Sequence, residues 1–230
     1  MTIQESQSNH LMSSGRDADL VLPIAISAEG SYARSPTAGY LLAKRTFDIC
    51  LSTCLLPIVA AMAICLIVIN PFLNRGPLLF IQERMGRDRK VFKVIKFRTM
   101  APSPEVRRFD EPIERNRITR LGSFMRKTRV DELPQVINVF LGDMSLIGPR
   151  PDMVDHSETF CELIPEYGDR FSVRPGISGL AQVVNGYAEG VEATREKARI
   201  DAYYAHNASF SLDTWILFKT IKVVFTFGGA

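Results

Sequence analysis

The sequence predicts a helix-dominated α+β protein held on one face of a membrane. Three observations carry this. Ile49 to Ile69 contains no charged residue and is long enough, at about 20 residues, to cross a bilayer. Two short alternating segments flank Gly86-Arg87-Asp88, as in a β-hairpin. The rest of the chain is mostly amphipathic helical stretches separated by Gly/Pro-rich loops.

Residues 1–39 are polar, Ser-rich and weakly periodic, which predicts a disordered tail with a short strand at Leu20–Ile26. Residues 40–230 form the folded domain, divided into a membrane helix over 44–73 and a cytoplasmic part over 74–230. Thr46-Phe47-Asp48 opens the helix. Pro57 removes a backbone bond in its middle and bends it. Lys44 and Arg45 precede the apolar run, and Arg75, Arg84, Arg87, Arg89 and Lys90 follow it. Cations prefer the cytoplasmic side, so a single crossing would place one group badly. A re-entrant helix, broken between Ser52 and Pro57, keeps both ends on the cytoplasmic face, with Ser52 and Thr53 serving carbonyls freed at the break. Cys50, Cys54 and Cys65 read as small buried hydrophobes; the scattered His10, His156 and His206 and the lack of a C-x-x-C pair speak against zinc.

Leu78–Gln82 and Val91–Phe97 are the hairpin strands, and Lys93, Lys96 and Arg98 interleave with apolar residues on the second. Those cations suit either an anionic ligand or a charged, protected sheet edge. Pro102–Pro112 is a polar linker, and Thr119–Arg129 a basic amphipathic stretch suited to an anionic interface. Two Gly/Pro-rich loops follow, Gly142–Pro151 presenting Arg150 and Arg174–Gln182 presenting Arg174. Glu192–Asn207 has helical spacing. Trp215–Phe227 reads as a helix at the interface, with packing on the core as the alternative.

The most informative stretch is Arg126-Lys-Thr-Arg-Val-Asp131-Glu132-Leu-Pro134-Gln135. Asp131 is a good N-cap, Pro134 fits a first helical turn, and an apolar run follows. Two carboxylates at a positive helix end, beside many cations, suit nucleophilic attack on phosphorus or metal binding. Plain capping is the competing explanation. From Arg84 to Arg129 lysine and arginine far outnumber acids although the net charge is only +3, which implies an anionic partner. Nucleic acid fits less well than phosphorylated substrate or lipid headgroups, because the membrane segment fixes where this surface sits.

These motifs, taken in order, resemble a known family. Lys44-Arg-Thr-Phe-Asp48, Gly76-Pro77, Gln82-Glu-Arg84, Lys96-Phe-Arg-Thr-Met100, Arg126 through Gln135, Gly142-Asp-Met-Ser145, Gly148-Pro-Arg-Pro151 and Arg174-Pro-Gly176 with Gly179 and Gln182 are similar to the bacterial sugar transferases, the small monotopic phosphoglycosyl transferases that act on polyprenyl phosphate. The resemblance implies transfer of sugar 1-phosphate from a UDP-sugar to undecaprenyl phosphate, releasing UMP, at the cytoplasmic face of the bacterial inner membrane. It makes Asp131 the nucleophile, Glu132 its catalytic or metal-binding companion, and Mg2+ the ion held by both. It places Arg126, Arg150, Arg174, Lys96, Arg98 and Asp201 at the substrate, and Lys44, Arg45, Ser52 and Pro57 at the lipid. Leu56 stands where many members have serine, and Ala181–Tyr187 has an extra valine and lacks an arginine, so the sugar is not carried over. The oligomeric state stays open, a homodimer included. A membrane adaptor for anionic lipids or polysaccharide-assembly partners is the non-catalytic alternative; a binding-only homologue fits poorly with an intact Asp-Glu-Leu-Pro stretch.

Overall fold

The computed structural model describes residues 36–74, 76–102, 114–185 and 190–225. The expected tail strand, most of the polar linker, and Gly186 and Tyr187 lie outside them. Helix α1, Ala38–Leu73, is capped by Thr37, whose hydroxyl accepts from the Tyr40 amide at 3.3 Å. Its 36 residues extend over about 54 Å of helical rise. Asp48, Ser52, Val59, Leu66 and Asn70 are buried, spaced four and seven residues apart, so one stripe is covered. Ile58, Ile64, Ile67, Val68 and Phe72 are exposed, and only 17% of the most apolar stretch is covered by protein. Such a surface is suited to lipid rather than water. Cys50, Cys54 and Cys65 lie exposed on this helix; they are small apolar surface residues, not the buried ones expected.

Both ends of α1 are tied to the same folded body. Near its start, Lys44 pairs with Asp213 at 2.7 Å, Arg45 donates to the Val139 and Phe140 carbonyls, and Asp48 accepts the Leu146 amide at 3.0 Å. Near its end, Leu66 packs with Phe97 and Met125, and Asn74 donates to the Arg98 carbonyl at 2.6 Å. The helix is continuous through Pro57. Ser52 and Thr53 do not serve the carbonyl that Pro57 leaves open; both hydroxyls donate to Ile49 O, at 3.1 and 2.8 Å.

Strands β1 (Leu79–Met85) and β2 (Val91–Phe97) pair antiparallel from Leu79↔Phe97 to Met85↔Val91. Asp88 and Arg89, at φ 57°, turn the chain between them. The free edge of β2 is covered. Asn138 accepts from the Ile95 amide at 3.1 Å and donates to the Lys93 carbonyl at 2.8 Å, so a buried amide side chain does what a third strand would do. Helix α2 (Arg120–Lys127) starts at the Thr119 cap, as its spacing predicts, and sends Leu121 and Met125 into the core shared with Leu66 and Phe97.

Asp131 is not a helix N-cap. Arg129 adopts a left-handed conformation (φ 58°), a 3-10 turn carries Val130–Glu132, and α3 begins at Gln135 with Pro134 in the cap position. Proline has no amide to draw the preceding turn into α geometry. Helix α3 (Gln135–Leu141) ends at Gly142, φ 101°. The two Gly/Pro-rich loops are not separate turns. Ser145–Ile147 (β3) and Gly176–Ser178 (β4) pair in parallel, Ser145 with Gly176 and Ile147 with Ser178.

Helix α4 (Val154–Leu163), the 3-10 run Pro165–Ser172, α5 (Leu180–Val184), α6 (Val191–Asn207) and α7 (Phe210–Phe225) complete the body. Met85, Phe160, Ile164, Tyr167, Phe171 and Ala198 form a second core under the hairpin. Helix α7 packs on the core, the alternative that the sequence offered. Ile216 is fully buried and Thr220 meets Ser178 at 2.5 Å, while Phe218 and Ile221 stay exposed.

A Cβ on Gly176 would fall 2.1 Å from the Gly148 nitrogen, so backbone must move. Gly176→Ala is expected to lower the melting temperature in detergent by the equivalent of about 3 kcal/mol. Gly39→Ala, where nothing lies within 4 Å, leaves it unchanged or slightly raised.

Candidate active site

The 3-10 turn Val130–Glu132 sets two adjacent carboxylates below the surface, Asp131 at 9% and Glu132 at 6% exposure. Three cations converge on Glu132. Arg150, on the loop after β3, donates to Oε1 at 2.5 Å. Arg129 Nη1 stands 3.7 Å and Lys96 Nζ, from β2, 3.9 Å from the same oxygen. Arg84 of β1 closes the rim, donating to the Pro151 carbonyl at 3.3 Å and to Gln82 at 2.5 Å. Asp131 Oδ1 is buried and, among the described residues, has no hydrogen-bond partner.

The neighbouring acids are pushed in opposite directions. Burial raises Glu132, but Arg150 and Lys96 overcome it and hold the carboxyl down at about 2. Burial, then the charge of Glu132, pushes Asp131 up to about 6, against Lys96, Arg150 and Arg126. Burial and the charge of Arg150 lower Lys96, with Glu132 opposing. Glu132 is therefore a fixed, ionised carboxylate. Asp131 is the more basic carboxylate, ionised at neutral pH, with an oxygen that no protein donor engages among the described residues. That division of roles is what covalent catalysis by a carboxylate needs.

The sequence profile of the bacterial sugar transferases matches residues 39–227. The chain belongs to that family. It is 42% identical over 203 residues, 87% of its length, to a UDP-N-acetylgalactosamine-undecaprenyl-phosphate N-acetylgalactosaminephosphotransferase of Aeromonas hydrophila. It is 37% identical over 184 residues, 78% of its length, to a UDP-glucose:undecaprenyl-phosphate glucose-1-phosphate transferase of Escherichia coli K12. It is 37% identical over 195 residues, 82% of its length, to an exopolysaccharide production protein of Rhizobium leguminosarum. It covers 98% of the Rhizobium protein, but only 47% and 39% of the first two.

The sugar transferase brings together Asp131, Glu132, Lys96 and Arg150 as expected from the sequence. Arg126 acts on Asp131 through its charge, with no ion pair among the described residues. Five expected ligands are engaged elsewhere. Arg98 donates to the carbonyls of Pro77 (2.6 Å), Met100 (3.1 Å) and Asn74, closing the C-terminal end of α1. Arg174 Nε donates to Gly142 O at 3.0 Å, at the far end of α3 from the two acids. Asp201 lies 2.9 Å from Arg170 inside the second core region. Lys44 is held by Asp213, which also accepts the Tyr40 and Tyr204 hydroxyls at 2.8 and 2.7 Å, instead of facing headgroups; Arg45 caps α3. Each is a cation or acid consumed by a buried counter-charge or a helix end, which composition cannot distinguish from a ligand contact. Arg84 and Arg129 were missed, although both lie in quoted motifs; their nearness to Glu132 or Lys96 is a tertiary fact.

The opposed shifts make the two acids distinguishable by stability. Glu132, depressed from an ordinary 4.5, contributes stability that is present above that value and lost as pH falls toward about 2. Asp131, raised from an ordinary 3.8, costs stability as pH rises through about 6. At pH 7.5 Asp131→Asn is expected to melt higher than the parent, by on the order of 2 kcal/mol, and Glu132→Gln lower. Thermal melts from pH 4 to 8 check this; the Asp131→Asn advantage shrinks toward pH 4.

Proposed function

We propose that this sugar transferase moves a sugar 1-phosphate from a UDP-sugar to polyprenyl phosphate, undecaprenyl phosphate in bacteria, and releases UMP. The observation that carries this is the pairing of an ionised, Arg150-bound Glu132 with a more basic Asp131 whose Oδ1 has no partner among the described residues. The named activities of the relatives support the substrate class. In the first step a carboxylate oxygen of Asp131 attacks the sugar-bearing phosphorus; the P–O bond to UMP breaks and UMP departs with the electron pair. In the second step an oxygen of polyprenyl phosphate attacks the same phosphorus and Asp131 leaves as carboxylate. Lys96, Arg150 and Arg126 offset charge on the phosphoryl oxygens. Two adjacent carboxylates, Asp131 and Glu132, supply the hard oxygen donors that a divalent cation such as Mg2+ prefers. Asp131 and Glu132 would hold Mg2+, which offsets phosphate charge when bound.

The lipid substrate sets the location. Helix α1 offers lipid an apolar surface, yet both its ends bind one body. A path that keeps both ends of this unbroken helix on the cytoplasmic face of the bacterial inner membrane meets both conditions, and a simple crossing does not. The product, a lipid diphosphate sugar, begins a polysaccharide such as exopolysaccharide, capsule or O-antigen. An adaptor role gives no reason for the two opposed carboxyl environments.

In membranes supplied with UDP-sugars and undecaprenyl phosphate, Asp131→Asn is expected to release no UMP above background, and Glu132→Gln to lose on the order of 100-fold in kcat. The kcat/KM profile has an acid limb near pH 6. UMP release by Asp131→Asn at the parent rate would remove the assigned nucleophile.

A further inference from the structure

Behind the two acids lies a buried ion cluster that the transfer chemistry does not use. Arg170 is 3% and Asp201 1% exposed. Arg170 Nη1 donates to the Asp152 carboxylate and to the Tyr167 hydroxyl, the latter at 2.7 Å. Its Nη2 lies 2.9 Å from Asp201 Oδ2, an ion pair without hydrogen-bond alignment. The same nitrogen donates to the peptide oxygen of Arg150 at 2.5 Å. Lys197 completes the cluster by donating to both Asp152 oxygens, at 2.9 and 2.8 Å.

Burying this many charges is costly, and apolar packing would serve a core as well. The cluster's outward contact gives it a use. Arg150 sits between Pro149 and Pro151, whose rings fix their own φ angles, and Arg170 holds the carbonyl of the residue between them. From that pinned residue the side chain reaches Glu132. We propose that Arg170, held by Asp152 and Asp201, is a positioning residue that fixes the Arg150 peptide and so keeps the Arg150 guanidinium on Glu132. Asp201 thus acts at two removes from substrate. The catalytic part of this inference rests on the transfer reading; the pinning does not.

Two measurements test it. In ligand-free protein, hydrogen exchange over residues 144–154 is expected to quicken at least about tenfold in Asp201→Asn and Arg170→Lys, with helix α2 unchanged. In the UMP assay each variant is expected to lower kcat about tenfold or more with KM within about threefold, and to cost less than about twofold more when added to Arg150→Met. A purely structural role would lower activity by the same factor with or without Arg150. Unchanged exchange, or full multiplicative loss in the Arg150→Met background, overturns the proposal. If the parent releases no UMP while exchange responds, the transfer reading fails and the pinning stands. Should Asp201→Asn not fold, Lys197→Gln, at the partly exposed end of the cluster, runs the same cycle.

Discussion

The ion pair between Glu132 and Arg150 is the constraint on which the site depends. It joins the turn before α3 to the loop after β3, two segments far apart in sequence, through one short contact. Beneath the surface such a pair is stable only where further partners share the charge, and Lys96 and Arg129 do so here. The fixed negative charge then raises the basicity of its neighbour. Asp131 is the more basic of the two because burial, and then that ionised neighbour, oppose its charge.

Much of the positive charge has a structural destination. Arg45 and Arg174 meet carbonyls at the end of α3, Arg98 those at the end of α1, and Lys44 and Arg170 meet buried acids. Charge bias indicates an anionic partner only after these contacts are set aside. What remains around Asp131 is a compact set contributed by β1, β2, α2 and the loop after β3. The β1–β2 hairpin, sealed at its edge by Asn138, carries two of them.

Legibility followed length and periodicity. Helix α1 holds a long uncharged run, the hairpin alternates, and α2 falls in the basic amphipathic stretch, so all three stood out in the sequence. Strands β3 and β4 are three residues each and pair across a long gap, too short for alternation to show; they read as loops. The N-cap assigned to Asp131 failed because a left-handed Arg129 inserts a 3-10 turn, and nothing local requires that conformation of arginine. The dyad itself was legible from its motif, whereas its unequal basicity was not. That property comes from Arg150, Lys96 and burial, all products of tertiary structure.

The measurement closest to the central claim is intact and peptide mass spectrometry of the protein mixed with a UDP-sugar and no lipid acceptor. The account predicts a sugar-phosphate adduct on the peptide containing Asp131, localised to that residue and discharged when polyprenyl phosphate is added. Turnover that proceeds with no such adduct, or an adduct on another residue, would contradict it.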